Sequence, residues 1–204
     1  MNYLAHLLLS DGTPEGLVGN LAGDFVSGVD LSSVHPCLLP GIQQHRAVDR
    51  FTDSHALVRA SRLRLDPAWR HWRGILVDVF YDHLLAREFE SFTGQPLARF
   101  SGRVYRALHD CRAILPPSLK RAAPVMIEHD WLNAYAHEAG LREILARMSR
   151  RSSRAPRLQD AVDELAAAGP GLRQDFHAFF PELQKELAAN GANAVAQINP
   201  NPGF

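Results

Sequence analysis

Apolar residues recur three or four positions apart along almost the whole chain, while period-two alternation is hard to find, so the sequence has to build helices rather than sheet. Into that pattern the first 83 residues set acids and histidines: His6 in NYLAHLLLS, Asp24 in GNLAGDF, His45 and Asp49 in QHRAVDRFTD, and Asp78, Asp82 and His83 in DVFYDH. A carboxylate taken out of water needs a cation, a donor or a metal, or its pKa shifts until it is neutral. Several such groups in successive helices predict one shared site. Imidazole nitrogen mixed with carboxylate oxygen suits a divalent metal such as Mn, Fe or Zn.

Capping signals divide the chain. Thr13-Pro14 is an N-cap followed by the first helical position and predicts a helix to about Ser27, ended by Gly28. A second helix follows Pro36, from Cys37 to about Thr52. Asp66-Pro67 opens the longest periodic stretch, PAWRHWRGILVDVFYDHLLAREFESF, which Gly94 terminates. Further helices are predicted from about Pro96 to Ile114, Pro117 to His137, Glu138 to Arg150 and Gly171 to Leu187. The stretch from Arg150 to Arg157 is rich in Ser, Arg and Pro and predicts an exposed loop. The domain expectation is one all-α helical bundle over 1–188 and a polar, loosely ordered tail over 189–204.

A length of 204 residues supports one buried core. Twenty-two Lys plus Arg balance 22 Asp plus Glu, which argues against a protein that coats nucleic acid through bulk charge. Only Lys120 and Lys185 are lysines, so the positive charge is nearly all guanidinium, suited to bidentate contact with carboxylate or phosphate. Cys37 and Cys111 form no CxxC pattern and predict reduced thiols. No basic leader and no bilayer-length apolar run is present, so the expectation is a cytoplasmic protein with no membrane partner.

A helical wheel at about 100° per residue sharpens the placement. In the long segment Trp69, Trp72, Ile75, Leu76, Val79 and Phe80 form an apolar stripe with His83 in its middle and Asp78 and Asp82 along its edge. His45 and Asp49 lie one turn apart on the face carrying Leu38, Ile42 and Thr52, and Asp24 shares a face with Leu17 and Leu21. Taken singly, each residue has an ordinary explanation: a core histidine on a backbone carbonyl, a capping aspartate, half of a salt bridge. Taken together those explanations need a separate partner for every group, whereas one metal site satisfies most of them. Gly19 and Gly23, inside a predicted helix, suit close approach of another helix or of a bulky substrate.

The segments MNYLAHLLLS, GNLAGDFVSG, GIQQHRAVDRFTDSH and VDVFYDHLLAREF, in that order, resemble the bacterial acyl carrier protein phosphodiesterase family, with similarity running to about Leu187. The resemblance implies a divergent HD-type metal-dependent phosphohydrolase fold. It also implies hydrolysis of the phosphodiester between 4'-phosphopantetheine and a serine of holo acyl carrier protein, with Mn(II) favoured among Mn(II), Mg(II), Fe(II), Co(II) and Zn(II). Within those segments the adjacent His-Asp pair of HD proteins is missing. Its nearest equivalents are the reversed Asp82-His83 and the spaced His45 and Asp49.

On this footing His6, Asp24, His45 and Asp78 are expected to supply most of the metal ligands, with Asp49 as an additional one. Asp82 and His83 are expected to orient a ligand or move a proton, and Arg46 to clamp the phosphate. The implied acidic protein substrate calls for a basic surface, with two candidates: Arg59, Arg62, Arg64, Arg70 and Arg73, or Arg147, Arg150, Arg151, Arg154 and Arg157. Competing expectations are a phosphohydrolase acting on a small nucleotide, although no GxxxxGK[ST] loop occurs, and a noncatalytic helical binding module.

Overall fold

The structure is a computed structural model that describes the backbone of residues 1–198 and side chains through residue 189. Among the described residues 79% are helical and none is in a strand, as the periodicity requires. Eleven α-helices are described. Asn2 accepts from the Tyr3 N–H and caps α1 (Tyr3–Leu8), while Thr13 accepts from Gly16 N–H and Pro14 starts α2 (Pro14–Ala22). Instead of running on to Ser27, α2 tightens into a single 3-10 turn, Gly23–Phe25, which carries Asp24. Another 3-10 turn, Pro36–Leu38, leads into α3 (Leu39–Ser54).

Next comes α4 (Ala56–Arg64), which the sequence signals leave unassigned because its cap is His55, whose ring accepts from Leu57 N–H, rather than a Ser, Thr, Asp or Asn. The long helix predicted from Pro67 is divided into three pieces. Residues Pro67–Trp72 form 3-10 turns broken at Arg70 (φ 50°), where Glu164 takes both the Asp66 N–H and the Trp69 indole N–H. The helix α5 (Arg73–Arg87) then stops at Glu88, whose carboxylate is held by Arg173 at 2.6 Å and His177 at 2.7 Å. Beyond it, α6 (Phe89–Thr93) ends on Gly94 at φ 69°, the left-handed cap that the glycine signals.

The remaining helices are α7 (Leu97–Asp110), α8 (Pro117–Glu128), α9 (Trp131–Ala134), α10 (Glu138–Arg150) and α11 (Leu165–Ile198). The single helix predicted from Pro117 is thus two, separated by Asp130 at φ 43°, a turn that Asp tolerates better than most residues. Helical backbone continues through part of the predicted tail to Ile198, and 199–204 lie outside the described residues. No helix among the described residues is long and apolar enough to cross a membrane.

At the centre stands α5, with Leu76, Val77, Val79, Phe80, Tyr81, Leu84 and Leu85 buried against α1, α4 and α11. Each such side chain contributes about 1.5–3 kcal/mol on leaving water. From α11, Phe176, Phe179 and Phe180 close one end of the core against Tyr81 and Phe92. A different device joins α2 and α3. A Cβ on Gly41 would stand 2.5 Å from the Asn20 backbone nitrogen, and one on Gly19 would stand 2.6 Å from the Leu38 carbonyl oxygen. Only glycine lets these backbones approach so closely, and that approach brings α3 against the end of α2 that leads to Asp24.

Candidate metal centre

Two helices and a 3-10 turn deliver the polar residues to one place. His6 on α1 is 1% exposed and His45 on α3 is 4% exposed, and their rings stack with centroids 3.8 Å apart and planes 16° off parallel. Both present Nε2 to the same carboxylate. His6 Nε2 is 3.1 Å from one oxygen of Asp49, and His45 Nε2, one helical turn before it, is 3.2 Å from the other. Asp24 approaches from the turn after α2, with Oδ1 3.7 Å from His45 Nε2. A Cβ on Gly23 would overlap the His45 ring, so that glycine provides the seat for the imidazole.

The site is dry on the histidine side and open on the acid side, since the Asp49 and Asp24 side chains are 44% and 41% exposed. Burial pushes the His6 imidazole down to about 4 despite its hydrogen bond to Asp49, so it is neutral near pH 7. Burial would raise the Asp49 carboxyl, but contact with His45 and His6 outweighs it and holds the group well below the usual range. A neutral imidazole and an ionised carboxylate are the states a divalent metal needs from such ligands.

The donor geometry fits such an ion. His6, His45 and Asp49 each offer an atom with all three within 4.8 Å of one another. Two donors about 2.1 Å from one ion and at right angles are about 3 Å apart, close to the 3.1 and 3.2 Å separations here. His6 Nδ1 and His45 Nδ1 are buried without a partner among the described residues, so the hydrogen-bonding capacity of both rings is directed through Nε2 to Asp49.

Asp49, an additional ligand in the sequence reading, is therefore the residue that joins the two histidines. Asp78 stands outside this group: its Oδ1 accepts from the α-amino group of Met1 at 3.0 Å. Asp24 and Asp78 nevertheless line one cavity of about 570 Å³, together with Met1, Tyr3, Trp72, Ile75, Met148 and Arg151. The cavity borders the cluster through Asp24.

Asp82 has a different task. It is fully buried and accepts the backbone N–H groups of Asn2 (3.3 Å), Leu4 (2.6 Å) and Ala5 (3.3 Å). It thus ties the first turn of α1 to α5 and fixes the helix that carries His6. Burial pushes its carboxyl up to about 7, against the pull of the nearby α-amino group and these N–H groups. His83 lies elsewhere. Its Nδ1 contacts the Tyr135 carbonyl at 2.7 Å, the ordinary arrangement for a core histidine, and it lines a separate cavity of about 830 Å³ with Arg87, Glu138 and residues of α11. Arg46, one residue beyond His45, is exposed and does not line the cavity beside the cluster; the guanidinium on that wall belongs to Arg151.

Adjacent His-Asp pairs do occur outside the four matching segments, at His109-Asp110 and His129-Asp130. His109 and Asp110 side chains are 83% and 69% exposed and pair with each other, while Asp130 holds Tyr105 and Asn133. Neither pair reaches the cluster. Sequence reasoning did not find Asn2, whose signal was its capping residue type, or the Met1 amine, which nothing in a local pattern connects to Asp78.

The family model described as acyl carrier protein phosphodiesterase matches residues 1–183. An acyl carrier protein phosphodiesterase of Serratia proteamaculans (strain 568) is 30% identical over 187 residues, 91% of this chain and 97% of that protein. One of Salmonella agona (strain SL483) is 30% identical over 189 residues, 92% of this chain and 98% of that protein. No solved structure matches the chain, so its likeness to the HD-type fold stays a resemblance in sequence. With the match running from the capping turn of α1 into α11 and covering every residue of the cluster, the chain belongs to the acyl carrier protein phosphodiesterase family.

Proposed function

We propose that the chain hydrolyses the phosphodiester joining 4'-phosphopantetheine to a serine of holo acyl carrier protein, using a divalent metal, Mn(II) first among candidates. The relatives' names support the phosphodiesterase activity and the carrier substrate over a nucleotide. The observation that carries the metal-dependent reading is Asp49 bridging the Nε2 atoms of two stacked, buried histidines beside an open cavity.

In this reading His6, His45 and Asp49 hold the ion, and Asp24 joins them from the cavity wall. A divalent ion held there supplies an acidified water and neutralises charge on the nonbridging phosphate oxygens. The chain's residues do the rest. His6 and His45 would present Nε2 to the ion, and the glycine seat at Gly23 holds the His45 ring in place. Asp82 positions α1, and through it His6. Arg151 on the cavity wall would meet an anion entering the cavity, the role expected of Arg46 from the sequence pattern.

Metal analysis tests the reading against a noncatalytic module. Purified protein dialysed against Mn(II) should retain about one ion per chain, and an Asp49→Asn variant should retain none. Equal, negligible metal in both proteins would contradict it. Nucleotides assayed beside holo carrier protein should show no metal-dependent phosphate release.

A further inference from the structure

The cavity beside the metal cluster has an acidic floor and a basic lip. Asp24 and Asp78 line its interior, while Arg151 lines it from the end of α10 and the following turn. Arg150, Arg151 and Arg154 are exposed, and none is paired with a carboxylate among the described residues. Their neighbours are engaged: Arg147 lies over the Trp131 ring at 4.7 Å and reaches Glu143 at 3.8 Å, and Arg157 pairs with Asp160 at 3.4 Å. Burial pulls the Arg147 guanidinium below its ordinary value. Lining the same cavity, Ile75 is 37% exposed and Trp72 is half-buried.

In the other arginine-rich stretch, four of the five guanidiniums are engaged within the fold, and the fifth, Arg70, is exposed. Arg62 pairs with Asp53 at 2.6 Å, Arg64 with Asp175 at 2.7 Å, Arg73 donates to the Asp66 carbonyl at 3.1 Å, and Arg59 donates to the Ser54 carbonyl. Arg150 and Arg154 have no partner carboxylate among the described residues, and Arg151 reaches only the Tyr3 side chain, so three neighbouring guanidiniums keep their charge at the lip. A single phosphate is met by Arg151 on the wall; charges extending through Arg150 and along the loop to Arg154 suit an extended anionic surface. Resting on the reading that the substrate group is carried on a protein, we infer that Arg150, Arg151 and Arg154 dock an acidic surface of that protein, with Ile75 and Trp72 offering it an apolar contact beside the cavity. Docking there brings the linkage to the cavity that Asp24 shares with the metal cluster.

The test uses apo acyl carrier protein, which has no phosphodiester and reports docking without turnover. Its affinity for the full chain is measured by fluorescence anisotropy between about 50 and 300 mM salt. Wild-type binding should weaken steeply as salt rises. The Arg150→Glu/Arg151→Glu/Arg154→Glu variant, checked for an unchanged melting temperature, should bind more than about 30-fold more weakly at low salt, whereas Arg59→Glu/Arg70→Glu should stay within about twofold. Undiminished binding by the triple variant, or no wild-type binding, overturns the inference. Docking that depends on the triple while holo carrier goes unhydrolysed leaves this surface standing and removes the hydrolytic reading instead.

Discussion

Asp49 holds the candidate centre together, because it alone faces both imidazoles. Replacing residues that merely orient a ligand costs about 10- to 100-fold in metal affinity or activity, so Asp49→Asn and His45→Ala should lose more than about 100-fold in Mn(II)-dependent turnover and release the ion. Turnover within a factor of a few of wild type would remove these residues from the centre. Gly23→Ala makes a finer test, since its methyl group overlaps the His45 ring. It should weaken Mn(II) binding by about 10- to 100-fold while circular dichroism stays helical; unchanged affinity would show that the ring does not need this seat. Asp82→Ala would strand the buried N–H groups of Asn2, Leu4 and Ala5 at the start of α1, and urea unfolding should show a loss of about 3 kcal/mol. Much of this residue chemistry was legible in the sequence, because acids and histidines on apolar helical faces need partners. What pattern alone did not give was which acid touches which imidazole. Asp49 and Asp78 look alike on a wheel, and only the packing of α1 on α2 and α5, with His6 reaching α3, separates the acid facing His6 from the acid held by the Met1 amine.

Among the elements, two junctions hold neighbouring helices together. The first is the glycine contact between α2 and α3. Gly41→Ala would force Cβ against the Asn20 backbone nitrogen, and such overpacking should cost about 1–3 kcal/mol by thermal or urea unfolding; a smaller loss would mean that the helices separate freely. The second is Asp175 of α11, 5% exposed, which accepts from Ser61 Oγ at 2.7 Å and from Arg64 Nε at 2.7 Å. Burial would raise its carboxyl, yet Arg64 and Ser61 hold it below the usual value. A folded pKa below the unfolded value of about 3.9 gives stability that is complete above about pH 4 and lost as pH falls through the folded value. Asp175→Asn should therefore melt below wild type at neutral pH, with the gap closing as the pH falls below the unfolded carboxyl value and through the folded one; a gap constant with pH would rule this linkage out. Helix starts at Pro14, Pro117 and Glu138 and the stop at Gly94 were readable because proline, Thr13 and glycine act locally. The division of the long helix at Arg70 and Glu88 was not, because it depends on Glu164, Arg173 and His177, which lie about 80 or more residues away along the chain.

For the whole molecule, one helical core organised on α5 supports a buried pair of histidines, an acid-lined cavity and a basic lip with no net charge on the chain. The all-α class followed from hydrophobic period alone, whereas the joining of site, cavity and lip required the fold. The central claim is metal-dependent removal of 4'-phosphopantetheine from its carrier, and intact-mass spectrometry of holo acyl carrier protein incubated with the chain reads it directly. The account predicts conversion to the apo mass with Mn(II), none after chelation and none with Asp49→Asn. A carrier that keeps its phosphopantetheine mass in the presence of wild-type chain and Mn(II), or loses it equally well after chelation, would contradict the account.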